Sequence, residues 1–127
     1  MAGDAKVPHL PYRTPIDAYG HGGFRFAGMS HRGSLLCLPS GIRAWPVARA
    51  ADITEAALAP VFAEAGDIGV LLIGTGREAW TPPDPLRRQF HELKLSVETT
   101  RTGNAVSTYN ILLGEGRRVA AALIAVD

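Results

Sequence analysis

Two short stretches hold the residue types that could bind a ligand. One is Gly74-Thr75-Gly76; the other is Thr100-Arg101-Thr102-Gly103-Asn104. The second reads as the start of a helix, whose first amides lack intrahelical partners and carry about half a positive charge. Hydroxyl and amide side chains there, with the Arg101 guanidinium, could ring a phosphate or a carboxylate. In open α/β sheets ligands bind outside the carboxyl ends of the strands. Both stretches follow such ends, so they are expected to face one crevice. Its candidate residues are Gly74, Thr75, Gly76, Arg101, Thr102, Gly103, Asn104 and, along the same helix, Tyr109. The competing structural reading makes Thr102 or Asn104 a simple helix cap and Gly103 a turn.

Other motifs carry less. Gly74 to Ala79 fits the loose dinucleotide pattern G-x-G-x-x-G/A, and Glu98 stands about 20 residues on, where a ribose-binding acid belongs. That pattern requires the glycines to open directly into a helix, whereas Trp80–Pro85 interposes a proline-rich segment. A tight structural turn is the better reading. Tyr109 as an acid of the short-chain-reductase kind would want a lysine one turn on, and Leu113 stands there. Ser107 has no visible base. Tyr109 is expected to pack its ring and Asn110 to tie a neighbouring loop. His9, His21, His31 and His91 are scattered, without the spacing of a metal site. No catalytic residue, metal ligand or cofactor is assigned, and an enzyme is the less favoured class.

The elements that must position these residues are legible as a pattern. Residues 1–15 form a loosely ordered lead-in with Pro8, Pro11 and Pro15. From Ile16 to Val47 the signal is β: alternation over Ile16–Gly20 and Phe24–Ala27, a tight turn at His31-Arg32-Gly33, and an apolar run at Ser34–Leu38 expected to be buried on both faces. Ile42–Trp45 is a further short strand. Phe24, Phe26 and Trp45 are expected mostly in the core, an exposed aromatic patch being the alternative. A helix capped by Asp52 or Thr54 should run to about Ala65, with Pro60 kinking it or delaying its start. Gly69–Ile73 is a strand. Thr81 as cap and Pro82 at the first position open the next helix, with Pro83, Leu86, Phe90 and Leu93 as its apolar stripe. Leu95–Thr99, a helix from about Asn104, and Val119–Val126 follow. Strand, helix, strand, helix, strand predicts right-handed crossovers onto a largely parallel sheet. The fold class is α/β: one three-layer domain over residues 16–127, its central mixed sheet covered by helices on both faces, with an N-terminal antiparallel β annex.

Composition bounds the rest. A 127-residue chain with 46% hydrophobic and 20% charged residues is of ordinary single-domain size and globular class. It would bury about two-thirds of its surface on folding. Its 13 basic and 12 acidic residues leave a net charge of +1 and no basic cluster, which argues against a nucleic-acid partner. Cys37, the one cysteine, reads as a small buried apolar residue, so neither a disulfide nor a thiolate zinc site is expected. The apolar run Val119–Val126 is far below the roughly 20 residues that span a bilayer. The chain is expected to be cytoplasmic and not inserted in a membrane.

Ile16–Gly20 with Gly23–Phe26, Gly33–Gly41 (GSLLCLPSG), Trp45, Leu71–Gly76 (LLIGTG) and Thr102–Ala122 together resemble one family of small α/β domains. It is the domain family of unknown function whose eukaryotic relatives include a mitochondrial assembly factor for respiratory complex I and an adipogenesis-associated protein. The resemblance implies a three-layer domain with a central mixed sheet and, by way of the assembly factor, a protein partner. It implies no catalytic residue. The lead-in resembles that of a bacterial member more than an imported one. Two functions remain as expectations. One is a non-enzymatic interaction module resembling an assembly factor. The other is a small-anion or small-ligand domain, or a weak enzyme, using the crevice at Gly74–Gly76 and Thr102–Asn104. A homodimer is compatible with either.

Overall fold

The structure, a computed structural model, describes residues 10–127. His9 and the first part of the lead-in lie outside that range. Three short strands, β1 (Ala18–Gly20), β2 (Gly23–Phe26) and β3 (Met29–Arg32), form an antiparallel sheet of their own. The turns His21-Gly22 and Ala27-Gly28 both have positive φ at each central residue, the two-residue geometry that matches strand twist. His31-Arg32 is therefore strand and not turn. The reversal falls at Ala27-Gly28, where an alanine occupies a left-handed position that sequence statistics give to Asn or Gly.

β4 (Ser34–Leu38) and β5 (Gly41–Trp45) form a hairpin that joins the main sheet instead of the annex. That sheet continues with β6 (Val70–Gly74), β7 (Ser96–Thr100) and β8 (Val119–Leu123) in the order β5-β4-β8-β6-β7. β6 pairs parallel with β7 and β8, while β4 pairs antiparallel with β8. The sheet is thus mixed, and β4 and β8, at its centre, are buried along their whole length.

Helices cover both faces. On one side α1 (Ala59–Ala63) and α2 (Asp84–Glu92) pack on Leu36, Leu71, Ile73 and Ala120 through Val61, Leu86 and Phe90. On the other, α3 (Thr102–Gly114) lays Ala105, Val106 and Tyr109 over Leu35, Cys37, Leu72 and Ala121. Phe24 and Phe26 of the small sheet close the same core. Together with Trp45 they are at most 3% exposed, so no patch exists at these aromatics.

The helix starts differ from the sequence expectation. Pro60 has no amide to donate, and α1 begins only at Ala59, so that this missing donor falls in the first turn, where no partner is needed. The Thr54 hydroxyl accepts the Ala57 amide at 3.2 Å just before it. Likewise Pro82 and Pro83 keep Thr81–Pro83 extended, and α2 begins at Asp84, with Asp84 paired to Arg87. α3 begins two residues before Asn104, at Thr102.

Candidate functional site

The expected crevice region lies at the carboxyl ends of β6 and β7. The chain leaves β6 for α2 on one face of the sheet and leaves β7 for α3 on the other. The two exits diverge there, the topological switch point at which open α/β sheets hold ligands.

Below the surface these two ends are zipped together. The Thr75 amide donates to the Thr100 carbonyl (2.8 Å), and the Thr75 hydroxyl donates to Glu78 O (2.6 Å). The Thr102 amide donates to Gly76 O (3.1 Å), and the Gly76 amide returns a bond to the Thr102 hydroxyl (3.0 Å). That hydroxyl in turn donates to Ile124 O at 2.6 Å. Thr102 is fully buried, and its side chain is spent within the fold. A Cβ at Gly74 would press on the Thr102 backbone at 3.0 Å, so glycine is what lets β6 and the start of α3 approach.

Above this zipper is a cleft of about 360 Å³. Glu78, Trp80 and Thr81 form one wall, and Thr99, Thr100 and Arg101 form the other. Arg101 and Asn104 are exposed at its lip, and the Asn104 amide donates to the Thr100 hydroxyl at 3.4 Å. Beyond Asn104 a second depression, of about 330 Å³, lies between Arg77 and Tyr19. Tyr19 holds its hydroxyl against Gly103, in the space a Cβ would occupy. The Gly-x-Gly segment ends in a turn closed by Thr75 and Glu78, with Gly76 at φ +79°, and no helix opens before Asp84. The dinucleotide geometry is absent there.

The expected residues therefore separate into groups. Gly74, Thr75, Gly76 and Thr102 meet, but bond one another. Arg101 and Asn104 face the cleft. Gly103 sits beneath Tyr19. Tyr109 lies two turns along α3, buried against Cys37, away from the cleft. Its hydroxyl and the Cys37 thiol are hydrogen-bonded. Burial pushes the Cys37 thiol up to about 12, an effect the Tyr109 hydrogen bond only partly offsets. Burial, followed by the charge on Cys37, also raises Tyr109. Neither group is poised for chemistry at neutral pH. Asn110 grips the Ile16 backbone, accepting its amide at 2.9 Å and donating to its carbonyl at 2.8 Å.

Trp80 and Tyr19 were not singled out from sequence. Trp80 could have been found as the only aromatic between β6 and α2. Tyr19 gave no signal, because its role depends on the small sheet reaching the start of α3. Among the described residues no group of three or more His, Cys, Asp or Glu side chains could hold a metal ion. No described helix is long and apolar enough to cross a membrane.

Comparison with known proteins gives the family of the domain. The chain is 39% identical to an uncharacterized protein of Rhodobacter capsulatus over 94% of this chain and 90% of that one. It is 31% identical to the NADH dehydrogenase [ubiquinone] 1 alpha subcomplex assembly factor 3 of Mus musculus over 91% of this chain. The match spans 62% of the mouse protein's length. The crystal structure of an outer membrane protein from Bartonella henselae superposes with a TM-score of 0.90 at 50% identity, covering 94% of this chain and all of that one. The family described as protein of unknown function (DUF498/DUF598) matches residues 16–124, and the chain belongs to it.

Proposed function

We propose that the chain is a protein-interaction module of the assembly-factor kind, acting by holding a partner during construction of a respiratory NADH dehydrogenase. The observation that carries this reading is the extent of the likeness to the mouse assembly factor. It runs over 91% of this chain, so the whole domain is shared and not one motif. Tyr19, 48% exposed, is an aromatic of the kind enriched at interfaces. The test is complementation. The Rhodobacter capsulatus relative is deleted, and assembled NADH dehydrogenase is measured on native gels with and without this chain. Restored assembly is expected. Normal assembly in the deletion strain, or no rescue by a stably expressed chain, would count against the reading.

A second reading has its own observation, the cleft at the switch point with Arg101 and Asn104 at its lip. It would take a small anion such as a phosphate or carboxylate. Thermal-shift screening with nucleotides, phosphates and carboxylates tests it. A stabilising ligand should lose its effect in an Arg101→Ala, Asn104→Ala double variant. Thr102 is unsuitable for this purpose, since its hydroxyl is part of the fold. A flat screen sinks this reading.

A further inference from the structure

The two edges of the five-stranded sheet are finished differently. On β5 the outer edge is occupied: Leu10 bridges Ile42, with the Ile42 amide donating to Leu10 O at 2.9 Å and the Leu10 amide to Ile42 O at 3.1 Å. β7 is the other edge and pairs only with β6. The Ser96 amide donates to Gly69 O (3.2 Å) and Thr100 O accepts the Thr75 amide (2.8 Å), so these residues turn their backbone groups toward β6. By the alternation of a strand, Val97 and Thr99 turn theirs to the open side. Such an edge is a template for another strand.

The surroundings leave room for one. α3 lies chiefly over β6 and β8 and covers β7 less, so that Ser96 and Glu98 line a groove of about 490 Å³ with Thr108 and Leu112. Glu98 is in register with Leu72 of the α3-side core, whereas Val97 is in register with Leu71 and packs on the α2 side with Leu93. The ion pairs of the described residues are Arg87 with Asp84 and Arg117 with Glu115, and neither takes up Glu98. Arg117 and Arg118 stand at the groove's far end.

We propose that the β7 edge receives an extended segment of a different protein as a sixth strand, with a lysine or arginine opposite Glu98 and β-branched or apolar residues on either side of it, facing Val97 and Thr99. This rests on the interaction-module reading and names the partner's chemistry. A second copy of this chain is disfavoured as occupant. The antiparallel register that uses the open groups of both Val97 and Thr99 sets Glu98 directly opposite its own counterpart, and like charges in that position repel.

The test is a titration of the isotope-labelled chain, followed by amide NMR, with two end-blocked peptides, Thr-Val-Lys-Val-Thr and Thr-Val-Glu-Val-Thr. The lysine peptide is expected to shift the Val97 and Thr99 amides and to bind about three- to tenfold tighter than the glutamate peptide. In Glu98→Lys the ranking inverts. Val97→Pro removes an outward amide while leaving the β6–β7 bonds, so it abolishes binding with the Ser96 and Thr100 amides unmoved. Edge amides silent to both peptides overturn the proposal. So does β7 broadening that follows protein concentration instead of peptide, which would make a second copy the occupant. A chain that complements the deletion strain yet binds neither peptide overturns only this inference. Peptide binding with failed complementation instead removes the assembly role and leaves the edge site standing.

Discussion

Thr102 shows how a residue picked for chemistry can be occupied by structure. Its hydroxyl joins Gly76 of the β6 exit to Ile124 just past β8, and each backbone group would otherwise be buried without a partner. Thr102→Val keeps the shape and removes both bonds, so it should cost about 2–6 kcal/mol in urea unfolding, since each orphaned buried group costs about 1–3 kcal/mol. Thr102→Ser keeps the oxygen and should cost about 1 kcal/mol. A Thr102→Val loss smaller than that of Thr102→Ser would mean that the methyl, not the hydroxyl, matters. Cys37 makes a prediction in pH. Its folded pKa is raised from 9.0 to about 12, chiefly by burial. The unfolded chain therefore loses the thiol proton first as pH rises. The thiol's contribution is fully present below about pH 9 and drains away between there and about 12, by up to about 1.4 kcal/mol per pH unit. Urea midpoints should be flat from pH 7 to 9 and fall above. In Cys37→Ala the fall should begin nearer pH 10, where an unfolded tyrosine starts to ionise. An unchanged onset would assign the effect to other groups.

Elements differed in how much of them the sequence displayed. α2 was readable from its stripe, because Leu86 and Phe90 fall one turn apart and both are buried. β4 was readable as a strand buried on both faces because its run is unbroken. β3 was missed because Ala27 hides the turn before it, and the membership of β4 and β5 was missed because pairing is non-local. Nothing in Ser34–Leu38 says that it lies beside β8, some 90 residues on. The candidate site was legible only as a location. The sequence pointed to the ends of β6 and β7, but which side chains face outward there depends on hydrogen bonds between them. Asn110 carries an element-scale prediction. It is the side chain through which α3 holds Ile16, just ahead of the small sheet. Asn110→Ala should cost about 1–3 kcal/mol. It should lower hydrogen-exchange protection in β1 and β2 while leaving β6 and β8 as they were. Loss of protection spread evenly over both sheets would show that the small sheet is not held through this contact.

At the scale of the molecule, the five-stranded sheet has one finished edge and one open one, and a glycine controls the finished one. Gly41 has φ +139°, and a Cβ there would run into the Leu10 carbonyl. The close approach follows from Leu10 lying directly on β5. Gly41→Ala should therefore do two separable things. It should strain the backbone by about 1–3 kcal/mol, and it should push Leu10 off Ile42, baring a second edge. Unpaired edges recruit other strands, so the variant should associate with rising concentration in sedimentation runs under conditions where the parent chain does not. The Ile42 amide should also exchange faster. Gly28→Ala is the control, because Gly28 has φ +75° in the β2–β3 turn and open space where a Cβ would go. It should show comparable strain without association. If Gly41→Ala stays as monomeric as Gly28→Ala and keeps Ile42 protected, Leu10 is not what closes this edge. The contrast between a closed β5 and an available β7 would then have to come from strand chemistry alone.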